Sequence, residues 1–334
     1  MRAILQTRYG APDVLGVREI DRPAVGKNEV LVQVHAASVN PLDWHNVRGL
    51  PYFLRMGNGL IAPKNGVPGV DVAGRVEAVG SSTAQVRSGD EVFGLCSGAF
   101  AEYACAREDR LVSKPARLTF EQAAAVPVAA LTALQGLRDR GRIQRGQKVL
   151  IVGASGGVGT FAVQIAKSFG ADVTGVCSTR NVDMVRSLGA QRVIDYTQED
   201  FTRSGQRYDL ILDMAGTHSL MACRRALTPR GTYVVVGAPS GRWFTGPDRF
   251  LRALVLSVFV SQRMVPFVTS ATREDLLALK DLIEAGTLKP VIDRSYDLTE
   301  VPEAIAYLEQ GHARGKVVIT VSRPDRPPNS ESGG

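Results

Sequence analysis

Val149-Leu-Ile-Val152-Gly153-Ala-Ser-Gly156-Gly157-Val-Gly159-Thr160 is the stretch from which the fold can be read. Four apolar residues in a row suit a strand of a parallel sheet, covered on both faces. Glycines at 153, 156, 157 and 159 come next, and residues 160–169 read as a helix ended by Gly170. A turn without Cβ atoms lets the backbone approach a pyrophosphate, and free amides at the helix start point at its charge. Glycine turns are common, so the string alone is weak. Strand before and helix after make dinucleotide binding the expectation, carried by Gly153, Ser155, Gly156, Gly157, Val158 and Gly159.

Toward the C-terminus the alternation continues. It predicts a strand over 172–176, a helix over 182–188 and strands over 192–194, 210–214 and 232–237. Parallel strands joined by right-handed helical crossovers form a doubly wound sheet. Beyond Gly246 come a mixed apolar stretch, a helix over 273–285, a strand near Val291, a helix over 301–308 and a last strand over 316–321. Toward the N-terminus the pattern is different. Alternating segments at 30–35 and 74–79, with short strands at 90–94 and 99–103, suggest a small antiparallel barrel or sandwich. The change comes at Thr119-Phe-Glu-Gln122, a capping-box-like start to an Ala-rich helix over 120–125; Pro127 stops it, and a second helical stretch covers 131–136. The expected class is α/β. A nucleotide-binding domain (123–287) is inserted into a β-rich domain (1–122 and 288–322), and a disordered polar tail occupies 323–334.

At 334 residues the chain is too long for one ordinary core, which fits two domains. The formal charge of +7 is scattered, with small groups such as Arg138, Arg140, Arg142 and Arg145, and no nucleic-acid-reading motif accompanies it. Nucleic acid is therefore not an expected partner. The four cysteines, at 96, 105, 177 and 223, form no CxxC pair and have no ligand-spaced His, which points to reduced thiols in the cytoplasm. No charged stretch with an apolar run behind it opens the chain, and the most apolar segment, 251–268, is broken by Arg252, Gln262, Arg263 and Pro266; a membrane span is not expected.

Which dinucleotide binds depends on the residues just after the second strand of the nucleotide domain. An Asp or Glu there would hold both ribose hydroxyls of NAD. This chain has Val176-Cys177-Ser178-Thr179-Arg180, with no acid until Asp183. A carboxylate would repel a 2′-phosphate, whereas Ser178 and Arg180 can donate to it, so NADPH is the expected cofactor. The alternative for Arg180 is an exposed helix-start cation with no partner.

Further strings lie outside the nucleotide turn: Ser38-Val-Asn40-Pro-Leu-Asp43, Arg48-Gly49, Pro68-Gly-Val-Asp-Val-Ala-Gly74, Gly89-Asp90-Glu-Val, Leu131-Thr132-Ala133 and Gly311-His-Ala-Arg-Gly315-Lys316. In this order and spacing the chain resembles the medium-chain dehydrogenase/reductase superfamily, in its zinc-lacking quinone oxidoreductase branch. The resemblance covers roughly residues 1–321. It implies a GroES-like β-rich catalytic domain beside a Rossmann domain.

Departures from the zinc-dependent relatives matter most. Those place Cys where Asn40 stands and Gly-His-Glu where this chain has Gly69-Val70-Asp71; a third ligand would fall near Val128. The four-cysteine structural lobe after Val92 is also missing. Valine cannot bind zinc and an amide binds it poorly, so no metal is expected. Without a Lewis acid, conjugated acceptors are favoured. Hydride addition to an enone or quinone spreads the new charge into an enolate or phenolate, whereas a simple ketone gives a localised alkoxide.

The resemblance also implies roles. Asn40 would sit beside the nicotinamide and donate its amide N–H to the substrate oxygen, or else serve as a turn residue before Pro41. Asp43 is a structural acceptor rather than a proton donor unless buried. Tyr52, on the substrate loop, offers a hydroxyl or simply packs, and His45 is a proton relay or a packing histidine. Thr132 would contact the nicotinamide side, and Ala215, Gly216, Gly237, Ala238 and Pro239 would line the cofactor groove. Phe259 and Val260 would hold the carboxamide, Lys316 would reach a phosphate or the adenosine side, and Tyr196 would support the 2′-phosphate. The expected activity is NADPH-dependent reduction of a quinone or α,β-unsaturated carbonyl by a homodimer. The competing readings are a zinc-free alcohol dehydrogenase or ketone reductase, and a nucleotide-binding protein without catalysis.

Overall fold

The computed structural model describes residues 1–52, 54–64, 66–236, 251–253 and 260–321. Two large sheets organise them. One has six strands, all parallel, in the spatial order Arg192–Asp195, Asp172–Cys177, Lys148–Val152, Tyr208–Asp213, Leu227–Val235, Arg263–Pro266. Numbered along the chain this is 3-2-1-4-5-6, the doubly wound order, and it reverses between Lys148–Val152 and Tyr208–Asp213. Ligands of such sheets bind at the carboxyl ends of the strands beside the reversal. The glycine turn leaves one of those strands and Ala215-Gly216 the other.

The second sheet has seven strands around Glu29–Val39. That strand pairs antiparallel with Asp71–Val79, Tyr103–Arg107 and Lys316–Thr320. Its register sets the site: Ser38 faces Asp71, and Val317 faces Val39, which leaves Lys316 level with Asn40. The C-terminal strand thus completes the N-terminal sheet.

Between the sheets lie two Ala-rich helices, Phe120–Ala124 and Pro127–Gln135. Their buried alanines join Ala36 and Phe93 on one side to Val149 and Leu212 on the other, so one apolar core runs across both halves. Small side chains allow this close approach. The first helix is capped as its sequence predicts, Thr119 accepting from the Gln122 amide while the Gln122 side chain accepts from the Thr119 amide. Pro127 does more than stop that helix. It is the first residue of the next one, where its missing N–H costs nothing, so the second helix begins before 131.

Two other expectations shift. The strand expected at 99–103 starts only at Tyr103, because Ala99 and Phe100 donate instead to the Gly69 and Pro68 carbonyls. The strand expected at 232–237 starts earlier, as Leu227–Val235, and Gly237 lies outside the described residues. Arg263–Pro266, hidden in the mixed apolar stretch, is a strand the sequence pattern did not indicate. No helix among the described residues is long and apolar enough to cross a membrane.

Candidate active site

At the glycine turn the backbone does what the sequence promised. Gly153 has φ +86°, a conformation that side chains disfavour, and its own amide and that of Ala154 donate to the Val176 carbonyl. The helix Gly157–Ser168 starts directly from Gly156 without a capping side chain, leaving its first amides for a ligand. Each glycine answers to something different. A Cβ on Gly159 would lie 2.0 Å from the Gly153 oxygen, so the turn itself needs that glycine. A Cβ on Gly157 would lie 3.0 Å from Lys316 Cδ. On Gly156 it would meet only the Gly153 oxygen, at 3.5 Å. At that position the turn leaves room.

Next to this turn, Asp213 is buried at the end of its strand and its Oδ1 accepts from the Ala215 (2.9 Å) and Gly216 (2.8 Å) amides. Tyr233 donates its hydroxyl to the other oxygen. Asp213 therefore shapes the loop expected to line the cofactor groove. The signal for it was an acid directly after the apolar run Leu210-Ile-Leu212.

Around the end of the second strand, Ser178, Thr179, Arg180, Tyr196 and His312 line an open pocket of about 310 Å³. Arg180 is not without a partner: its guanidinium donates to the His312 carbonyl at 3.0 Å, while Arg314 donates to the Arg180 carbonyl at 3.4 Å. Asn181 donates to both Ser155 and Ser178 at 3.1 Å, which ties the glycine turn to this pocket, and its own Oδ1 is buried with no partner among the described residues. One carboxylate stands close by. Asp195 accepts from the Thr179 hydroxyl (2.6 Å) and from the Thr197 amide (3.0 Å) and hydroxyl (2.9 Å), so its oxygens are engaged.

The other centre is a buried polar cluster. Asp71, fully buried, accepts at Oδ2 from Ser38 (2.7 Å), Asn40 Nδ2 (2.9 Å) and Lys316 Nζ (3.2 Å). Its Oδ1 accepts from the Val128 amide at 2.9 Å, at the start of the helix Pro127–Gln135, where a negative charge is favoured. Lys316 also donates to Asn40 Oδ1 at 2.6 Å. Lys316, expected to reach a phosphate or the adenosine side, is 3% exposed and here has its ammonium engaged by Asn40 and Asp71. Sequence reasoning also missed Asp71, which stands out there only as the place where a Gly-His-Glu motif is lost.

Asp43 closes the cluster, accepting from the Asn40 amide at 2.7 Å. It is buried, and burial chiefly raises its carboxyl to about 7; the Asn40 amide opposes this, the Asp71 charge adds to it and Lys316 opposes it. The folded value lies above the unfolded one, so this group's stabilising contribution is full below about pH 4 and is lost as pH rises to about 7. The expected result is that the urea midpoint of the wild type falls across that window relative to Asp43→Asn. Parallel midpoint curves for the two proteins would show that the carboxyl titrates normally.

Other expected residues lie apart from this cluster. His45 donates from Nδ1 to the Leu50 carbonyl at 2.8 Å and stacks on Trp44; desolvation lowers its pKa. Tyr52 packs on Arg55, whose guanidinium also covers Tyr9 and whose Nε donates to the Gly49 carbonyl at 2.9 Å. Thr132 donates to the Val128 carbonyl and accepts from Thr269, both at 2.6 Å. Val260 is half-buried, while Gly237, Ala238, Pro239 and Phe259 lie outside the described residues. Among the described residues no group of three or more His, Cys, Asp or Glu is placed to hold a metal ion. Burial pushes the Cys96 thiol well up, which leaves it unreactive.

Two family models match the chain: an alcohol dehydrogenase GroES-like domain over residues 26–116 and a zinc-binding dehydrogenase domain over 188–319. The mitochondrial NAD(P)H oxidoreductase RTN4IP1 of Mus musculus is 36% identical, across 96% of this chain and 89% of its own. The chloroplastic NADPH-dependent alkenal/one oxidoreductase of Arabidopsis thaliana is 34% identical, across 96% and 79%. Among solved structures, the quinone oxidoreductase from Coxiella burnetii superposes with a TM-score of 0.86 at 33% identity, across 96% of this chain and 99% of that one. With both sheets, the glycine turn and the full length accounted for, the chain is an oxidoreductase and belongs to the medium-chain dehydrogenase/reductase superfamily, in its quinone oxidoreductase branch.

Proposed function

We propose that this protein uses NADPH to reduce a quinone or an α,β-unsaturated carbonyl without a metal ion. The observation that carries the reading is the pair of ligand-shaped features around the switch point. One is the Gly156 cradle, whose missing Cβ no protein atom fills. The other is the pocket of Ser178, Arg180, Tyr196 and His312, which offers hydroxyl and guanidinium donors where an NAD-type site would offer a carboxylate. In this reading the turn holds the pyrophosphate, Arg180 and Tyr196 hold the 2′-phosphate, and Ala215 and Gly216 flank the groove. The bound cofactor supplies the hydride.

The donor set fits no zinc. Asn40, Val70 and Val128 stand at the three ligand positions, and two of them have no metal-binding atom. In place of a Lewis acid the site presents the Asn40 amide, held by the Lys316 ammonium. A charge delocalised over an enolate or phenolate needs less electrophilic help than the localised charge of an alkoxide, so such a donor is enough for it. The oxidoreductases similar to this chain include ones named for quinones and for alkenals and enones, which supports the same acceptors here.

Stopped-flow oxidation of NADPH against quinones, enones and simple ketones tests the proposal. Rapid turnover with conjugated acceptors and none with ketones is expected. Alcohol-dependent reduction of NADP with no enone activity would reject it in favour of an alcohol dehydrogenase, and tight NADPH binding without any turnover would favour a nucleotide-binding protein that does not catalyse. We infer a homodimer on the family pattern and, from the reduced cysteines, a cytoplasmic location, to be checked by sedimentation and cell fractionation.

A further inference from the structure

We propose that Lys316 is a positioning residue for hydride transfer, acting through Asn40 rather than as a ligand of the cofactor phosphates. The proposal rests on the reductase reading. Its ammonium is 3% exposed and Asp71 is fully buried, so both ions have been stripped of water. A pair buried in this way is weak as a stabiliser, because desolvation offsets most of the attraction. Its geometry serves something else.

The amide of Asn40 is held from both ends. An ammonium can only donate and a carboxylate can only accept, so Oδ1 must face Lys316 (2.6 Å) and Nδ2 must face Asp71 (2.9 Å). The second Nδ2 hydrogen makes a long contact, 3.5 Å, to the Ser38 carbonyl, and the Asn40 side chain also meets the Asp43 carboxyl; this is the hydrogen we assign to an acceptor oxygen. Without the lysine the amide keeps only one of the two partners that fix its orientation, Asp71. Position supports the same role. The lysine stem crosses Gly157, whose Cβ would lie 3.0 Å from Lys316 Cδ, so the residue spans from the nucleotide turn to Asn40, which follows the strand Glu29–Val39 and caps the next helix. Two of the three ammonium hydrogens are held by Asn40 and Asp71.

Wild type, Lys316→Met and Lys316→Met/Asp71→Asn should be compared by NADPH titration on nicotinamide fluorescence, by kcat and KM with one quinone and one enone, and by thermal midpoint. In the single variant the thermal midpoint drops and kcat falls by about tenfold or more, while NADPH Kd and acceptor KM stay within about threefold. The double variant regains thermal stability, since no buried charge is left alone, yet its kcat stays low because nothing orients the amide. If kcat recovers together with stability, Lys316 is only half of a structural ion pair and the proposal is overturned. A tenfold rise in NADPH Kd with kcat retained would also overturn it, since that is how a phosphate ligand behaves. Should the single variant fail to fold, the double variant alone decides, by its kcat. A wild type that binds NADPH but reduces no acceptor removes the reductase reading itself, whereas an active wild type with an equally active Lys316→Met removes only this assignment.

Discussion

Gly156→Val is expected to fold with nearly wild-type stability and to bind NADPH at least about 100-fold more weakly. Its backbone, at φ −81° and ψ 177°, is extended and suits a β-branched residue. A Cβ there meets nothing closer than the Gly153 oxygen at 3.5 Å, so the folded protein has room for it. The added methyl groups would instead fill the space where a pyrophosphate reaches the first amides of the helix Gly157–Ser168. Losing two charge-assisted hydrogen bonds of roughly 1.5 kcal/mol each accounts for the factor. Gly159→Ala is the contrast. Its Cβ would come within 2.0 Å of the Gly153 oxygen, so it should lower the thermal midpoint as well as binding. Nicotinamide fluorescence titration and thermal melts separate the two effects. Unchanged NADPH affinity in Gly156→Val would mean that the cofactor does not cross this turn.

How far the sequence can be read depends on how local each signal is. The nucleotide turn is written in eleven consecutive residues, from Val149 to Gly159; its strand and glycines stand as read, while the helix begins at Gly157 rather than at Thr160. Thr119 and Gln122 announce their helix in the same way, across three residues. The Asp71–Lys316 contact joins residues 245 apart in the chain. It exists because two strand registers coincide, Ser38 opposite Asp71 and Val317 opposite Val39, and register is a property of the assembled sheet. The Gly311-His-Ala-Arg-Gly315 string stands out in the sequence, but nothing local says that His312 and Arg314 turn back onto Arg180. Comparison with zinc enzymes draws attention to what Asp71 has replaced. Its actual work, accepting four hydrogen bonds, needed the fold to be seen.

Arg180→Ala should weaken NADPH binding about 30-fold and leave NADH binding within about twofold, which makes it the sharpest test of cofactor choice. Arg180 borders the pocket beside Ser178 and Tyr196, and its described guanidinium contact is a neutral carbonyl, that of His312 at 3.0 Å. A phosphate dianion is a far stronger acceptor, so the side chain can exchange one partner for the other at a net gain. The Arg314 contact to this residue uses the Arg180 backbone carbonyl and survives the substitution. Asp195 is held by Thr179 and Thr197 in either protein, so removing the cation leaves a pocket that a 2′-phosphate enters against an uncompensated carboxylate. Ionic strength gives a second readout. Raising salt should weaken NADPH binding to the wild type more than to the variant, because only the wild type retains this exposed charge pair. Equal losses for both cofactors would instead make Arg180 a structural tie between the second strand and the His312 turn, and NADP selectivity would have to come from elsewhere.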